Sequence, residues 1–238
     1  MDYPLLVHQF LERANTFFPN KEIVTREGED VHRYTYSDLM PRASRLSSAL
    51  AGLGVGTGDR VGTFAWNPYR HLEVYFAAPA MGAVLHTINI RLFTEDLVHI
   101  INHAGDKVIL VDPDLVPILE PLASQFESVE HFIIMTDDRS FTTTLPSAHN
   151  YEDLLSGVSD EYSPVRVDEN APAGLCYTSA TTGRPAQRAL AEAPSMTQAM
   201  RTWVLAALRT AISARSPSPA SAKARMPFSA QSRNKASH

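Results

Sequence analysis

Apolar residues along the first 178 positions switch repeatedly between two periods, three-to-four and two, and each switch predicts a new element. Pro4 to Ala14 reads as a short amphipathic helix, with Leu6, Phe10 and Leu11 on one face and Glu12 and Arg13 on the other. Ile23 to Thr25 and His32 to Thr35 read as two strands of a hairpin around the polar turn Glu27 to Asp30. Ser37 opens a helix in which Leu39, Ala43, Leu46, Leu50 and Leu53 form a stripe, ended by Gly54 and Gly56. Strands follow at Arg60 to Ala65, Ala83 to Ile88, Val108 to Val111 and His131 to Met135. Between them come an apolar helix over Leu72 to Met81, disturbed by Pro79, and a helix capped by Thr94 with Leu97, Ile100, Ile101 and Ala104 inward. A third, over Asp114 to Phe126, is weakened by Pro117 and Pro121. Asp137 to Asn150 reads as a polar loop, Tyr151 to Leu155 as a helical turn, and Gly174 to Tyr177 as a short buried strand. Strands alternating with helices imply an α/β domain: layered helices on a largely parallel sheet. The unbroken apolar run Val108 to Val111 has the composition of a strand covered on both faces.

The strand at Gly174 to Tyr177 stops abruptly in Thr178, Ser179, Ala180, Thr181, Thr182 and Gly183. Hydroxyls and small residues at a strand's end let backbone amides and side-chain oxygens wrap a polyphosphate closely. The same residues also make an ordinary Ser/Thr turn. The Walker pattern, in which a second glycine precedes Lys and Ser/Thr, is absent. Ligands of open parallel sheets sit beyond the carboxyl ends of the strands, which is where this loop falls. Gly54 to Asp59, with three glycines, follows a helix and precedes a strand, the reverse of a dinucleotide loop, and reads as a turn. His99 and His103, four apart on a helix, could offer two imidazoles to one metal, but read first as a solvated or packing pair. Trp66, Tyr69, His71, Tyr75 and Phe76 could line an acyl tunnel; aromatics at helical spacing are more often core.

Charge and composition add a boundary. The 238 residues carry a formal charge of −5, but residues 187–238 hold eight Lys/Arg against one Asp/Glu, leaving 13 against 25 in the first 186. An acidic body with a basic tail predicts two regions, 1–186 and 187–238. The body has no basic patch interleaved with aromatics, so no nucleic-acid partner is expected. Cys176 is the one cysteine and reads as a small buried hydrophobe; no internal disulfide can form, which suits a reducing, cytoplasmic compartment. The start, Met1 to Ala14, lacks the basic and apolar regions of a signal peptide, and no apolar run is long enough to span a membrane.

Tyr177 to Pro185, YTSATTGRP, resembles the YTSGTTGxPKG signature of the AMP-forming adenylating enzymes. Trp66 to Leu92 and Ile101 to Asp112 resemble the medium- and long-chain fatty acyl-CoA synthetase branch of that superfamily. The resemblance implies the incomplete N-terminal large domain of an acyl-adenylating enzyme, acting on a fatty acid or other small carboxylic acid with ATP, Mg2+ and coenzyme A. It implies phosphate-binding by Thr178, Ser179, Thr181, Thr182 and Gly183, with the Thr178 hydroxyl near magnesium. The chain departs from the signature at Ala180, Ala186 and Gln187, where the family has Gly, Lys and Gly, and is therefore expected to be catalytically incomplete. The family also implies a homodimer; the alternative expectation is a remnant that pairs with a full-length paralogue, or a product that does not fold stably.

Beyond Gln187 the text is rich in Ala, Ser, Arg and Pro and is expected to be disordered or partly helical, Met200, Trp203, Val204, Ala207, Leu208, Ala211 and Ile212 forming one apolar face. It also reads as translation out of frame: codons for Ala186-Gln187-Arg188 can spell Pro-Lys-Gly when shifted by one nucleotide.

Overall fold

The computed structural model describes residues 4–161, 163–178 and 186–191. Its elements run α1 (His8–Phe17), β1 (Glu22–Glu27), β2 (Asp30–Thr35), α2 (Tyr36–Gly52), β3 (Arg60–Phe64), α3 (Tyr69–Ala80), β4 (Val84–Thr87), α4 (Thr94–Ala104), β5 (Asp106–Val111), α5 (Val116–Leu119), β6 (His131–Ile134), β7 (Ala148–Asn150), α6 (Tyr151–Ser156), β8 (Pro172–Thr178) and β9 (Ala186–Ala191). β1 and β2 form a separate antiparallel hairpin, and the other seven strands form one sheet in the order β7-β6-β5-β3-β4-β8-β9. Every pairing in that sheet is parallel except β8 with β9. The α/β architecture, with helices layered on a largely parallel sheet, is the one the pattern implied.

The sheet grows outward from β3, first to β4 on one side and then back to β5 on the other. Crossovers of one hand running in opposite directions must lie on opposite faces. Accordingly Val61, Leu85, Val108, Leu110 and Ile133 face a core shared with α2 and α3, whereas Phe64, Ile109, Val111, Phe132 and Ile134 face a second core under α4 and α5. The strict alternation within β5 is the period of two that places successive side chains on opposite faces. In the first core, α3 is buried along all twelve residues, including Arg70, His71 and Glu73.

Some local expectations change. Phe10 is 63% exposed; the helix begins at His8, and Leu6, Val7 and Leu11 supply the inward contacts. α2 starts one residue early: Thr35 takes the cap position, its backbone N–H and hydroxyl both donating to the Asp38 carboxylate at 2.8 and 2.6 Å. Thr94 is not a cap; Phe93 holds that place and Thr94 begins the helix. The helix expected over Asp114 to Phe126 breaks into two 3-10 turns around the four-residue α5, since Pro113, Pro117 and Pro121 each remove a backbone donor. Within the expected polar loop, Ala148–Asn150 adds a parallel edge strand beside β6.

Candidate functional site

β8 lies between β4, which it parallels, and β9, which runs back against it. Its last residue, Thr178, therefore emerges at the carboxyl edge of the parallel strands, where open α/β sheets take ligands. Thr178 is paired in register with Ala186, so the seven residues between leave and re-enter the sheet at neighbouring points. Ser179, Thr181, Thr182 and Gly183, expected to complete a phosphate cradle, lie outside the described residues, as do Ala180 and the tail beyond Ala191. β9 spans the boundary placed at 186 from charge.

Further along the same edge, the ends of β3 and β5 form the point where the chain's connections diverge. Asp112, 6% exposed, accepts the backbone N–H of Trp66 at 2.7 Å, and the Trp66 indole donates to Asp114 at 2.9 Å. Burial pushes the Asp112 carboxyl up to about 7, opposed by the Trp66 amide. His71 donates from Nδ1 to the Trp66 carbonyl at 2.6 Å and meets Thr63 Oγ1 through Nε2 at 3.0 Å. Complete burial drives that imidazole down to about 4, so it is neutral near pH 7. Arg70 bonds Glu152 at 2.9 Å, with Glu27 and Asp137 within 4 Å. A carboxyl that titrates near neutrality, held by an amide and bordered by an arginine, could exchange a proton or bind a cationic group.

The strand residue before Thr178 is anchored on the α4 face of the sheet. The Tyr177 hydroxyl bonds His103 Nδ1 on α4 at 2.7 Å, and its ring lies 5.2 Å from that of His86 on β4. His86 in turn donates from Nδ1 to both oxygens of Asp106 on β5, at 2.9 and 2.7 Å, with both side chains fully buried. β3 separates these two strands, and the pair meets above Gly62: a Cβ there would stand 3.2 Å from Asp106 Cγ and Oδ2. His86 Nε2 finds no hydrogen-bond partner among the described residues.

A family model described as AMP-binding enzyme matches residues 11–221. The chain belongs to the AMP-binding enzyme family. Among curated relatives of this chain, a long-chain-fatty-acid–CoA ligase of Thermus thermophilus is 47% identical over 186 residues, covering 78% of this chain and 33% of that one. A medium-chain-fatty-acid–CoA ligase of Ectopseudomonas oleovorans is 40% identical over 183 residues, 76% of this chain and 34% of that one. The chain thus spans about a third of the length of the curated relatives it matches. Among solved structures, an anthranilate CoA ligase in complex with anthranoyl-AMP superposes with a TM-score of 0.71 at 22% identity, covering 80% of this chain and 36% of that one. A Mycobacterium tuberculosis fatty acyl CoA synthetase gives 0.69 at 22%, covering 84% and 37%. At that identity the likeness shows the fold.

Several residues considered for chemistry have structural roles in this chain. Tyr69, Tyr75 and Phe76 pack in the α2–α3 core and His71 is bonded beside it, while Trp66 is 42% exposed, so the five do not form one lining. Gly54 to Asp59 is a turn: Gly54 and Gly58 have φ of 82° and 83°, the Asp59 carboxylate accepts the Gly56 amide at 2.9 Å, and Lys107 bonds the Gly54 carbonyl at 2.7 Å. Cys176, expected to be buried, is half-buried in β8. The Asp106–His86 pair and the Asp112–Trp66 contact escaped the sequence reading; the available signals were charged or imidazole residues inside apolar strands, and Gly62 within one.

Proposed function

We propose that this chain carries the phosphate-docking part of a fatty acid–CoA ligase, an enzyme that joins a fatty acid to coenzyme A at the expense of ATP through an acyl-adenylate. The observation that carries the reading is the delivery of Thr178 to the carboxyl edge of the sheet, with Ala186 opposite it. Hydroxyls of Thr178, Ser179, Thr181 and Thr182, with the backbone of Gly183, would donate to phosphate oxygens. The Thr178 hydroxyl would sit beside Mg2+, which offsets phosphate charge when bound. That donor set fits a polyphosphate, whose oxygens accept from amides and hydroxyls alike. A fatty acid as the acyl substrate follows the names of the relatives, and a reducing, cytoplasmic setting follows the single cysteine. Residues 1–186 would form the domain and the basic segment after it a separate region.

Titration of the purified chain with MgATP tests this reading, alongside acyl-dependent ATP–pyrophosphate exchange. The expected result is MgATP binding without exchange, weakened by Thr178→Val and strengthened by Ala186→Lys with Gln187→Gly. Failure of both the native chain and the lysine-bearing variant to bind MgATP would overturn it. Association with a full-length relative is the second reading, favoured by Phe10, Phe17 and Phe18, which α1 and its end leave 63%, 61% and 57% exposed. Size-exclusion with and without a full-length homologue decides it: co-elution supports pairing, and unchanged elution removes it.

A further inference from the structure

We propose that His99 and His103 on α4, backed by Tyr177 of β8, form a binding site for one divalent transition ion of the imidazole-preferring kind, Zn2+ or Ni2+. This site is independent of the phosphate-docking reading. The two imidazoles share a helix face with ring centres 5.6 Å apart and planes inclined by 40°. Nitrogens about 2 Å from a tetrahedral metal place two such ring centres roughly 5 Å apart, so a small rotation of either ring closes the chelate.

Three features separate this pair from an ordinary solvated one. First, His103 Nδ1 is held by the Tyr177 hydroxyl at 2.7 Å. With Nδ1 carrying the proton and the phenol oxygen accepting it, the Nε2 lone pair is left to a metal. A ligating histidine ordinarily has such a partner on its other nitrogen, and loss of that partner weakens binding by about 10- to 100-fold. Second, His103 is in the last turn of α4, next to Gly105, where the helix presents its negative end to a cation. Third, His103 is exposed and His99 half-buried, so the ion can enter without unfolding. No group of three or more His, Cys, Asp or Glu suited to a metal occurs among the described residues, so water completes the coordination. Imidazole without carboxylate selects against Mg2+ and Ca2+. The other close imidazole pair, His131 and His149, differs in that its nitrogens bond each other at 3.2 Å.

The test uses the untagged full chain, stripped with chelator and titrated separately with Zn2+, Ni2+ and Mg2+ in competition with a chromophoric chelator. One Zn2+ or Ni2+ per chain and no Mg2+ is expected. His99→Ala and His103→Ala should each weaken binding at least 10-fold, Tyr177→Phe by about 10-fold, and the double variant His131→Ala, His149→Ala should leave it unchanged. Far-UV circular dichroism establishes that the variants fold. Independently of any variant, Ni2+ should broaden the ring-proton NMR signals of His99 and His103 in the native chain before those of the other histidines. Binding that survives both α4 substitutions, that disappears with the β6–β7 pair, or that broadens other histidines first would overturn the proposal.

Discussion

Replacing Arg42 by methionine isolates the cost of leaving one carboxylate alone in the core. Arg42 on α2 donates from Nε to Glu73 at 2.6 Å and forks onto Glu152 at 3.0 and 2.8 Å. Glu73 is fully buried on α3, and its other oxygen accepts from the Tyr151 hydroxyl at 2.5 Å. Methionine keeps most of the stem that packs near the Tyr69 and Tyr151 rings while removing the charge. Breaking a buried pair from one side typically costs about 3–5 kcal/mol, because the partner stays behind uncompensated. The pH dependence carries the mechanism. Burial already raises the Glu73 carboxyl despite Arg42, and without the arginine it rises further. A carboxyl whose folded value exceeds its unfolded value stabilises the fold at low pH and loses that contribution as pH rises through the folded value. The penalty of Arg42→Met should therefore be smallest near pH 5 and largest near pH 8. Urea unfolding followed by circular dichroism at both pH values measures it, and adding Glu73→Gln to Arg42→Met should recover much of the loss at pH 8. A penalty below about 1 kcal/mol at pH 8, the size of an exposed ion pair, or one equal at both pH values would refute the reasoning.

Gly62→Ala should destabilise by roughly 1–3 kcal/mol, since its Cβ would stand 3.2 Å from Asp106 and 3.3 Å from Ile109 Cγ1 and push the carboxylate off His86. Denaturant titration should show that penalty shrinking in a His86→Leu, Asp106→Ala background, where the crowded carboxylate is gone. Asp112→Asn should keep the acceptor for the Trp66 amide while removing the ionisation. Because the folded carboxyl lies at about 7, above its unfolded 3.8, its stabilising contribution is complete below pH 3.8 and is lost as pH rises through 7. Melting temperatures from pH 4 to 8 should accordingly fall less steeply in the variant than in the native protein, and equal slopes would contradict the assignment.

Strands and helices of the body were legible because each buries a continuous stripe or an alternating face, and periodicity reports burial. β5 is the clearest case: a bare apolar run predicted two covered faces, and Val108 and Leu110 do part from Ile109 and Val111 into different cores. Periodicity failed where another force decided. β7 has only three residues, exposed or half-buried, and is held by backbone bonds to β6, which leave no apolar trace. Phe10 matched a helical stripe, yet it lies one residue, about 100° of helical turn, from the buried Leu11, enough to place its side chain in solvent.

The candidate site divides along the same line. Thr178 could be placed because its strand is apolar and its loop begins with hydroxyls, two signals that meet at one position. Asp112 and His86 gave no such signal: each is a polar residue within an apolar stretch, and what it does depends on a partner supplied by another strand. Asp112 and Trp66 are 46 positions apart and His86 and Asp106 are 20 apart, so each contact exists only once β3 lies between β4 and β5. Besides those polar residues themselves, Gly62 is a sequence trace of that arrangement. It is a glycine inside a strand whose neighbours would favour bulk, and the space it leaves is bounded by the Asp106 and Ile109 side chains of β5. The same sheet order carries Tyr177 to the end of β4's neighbour, within reach of both His86 and His103, so the position of Thr178 depends on contacts made by strand and helix residues well before it in the chain.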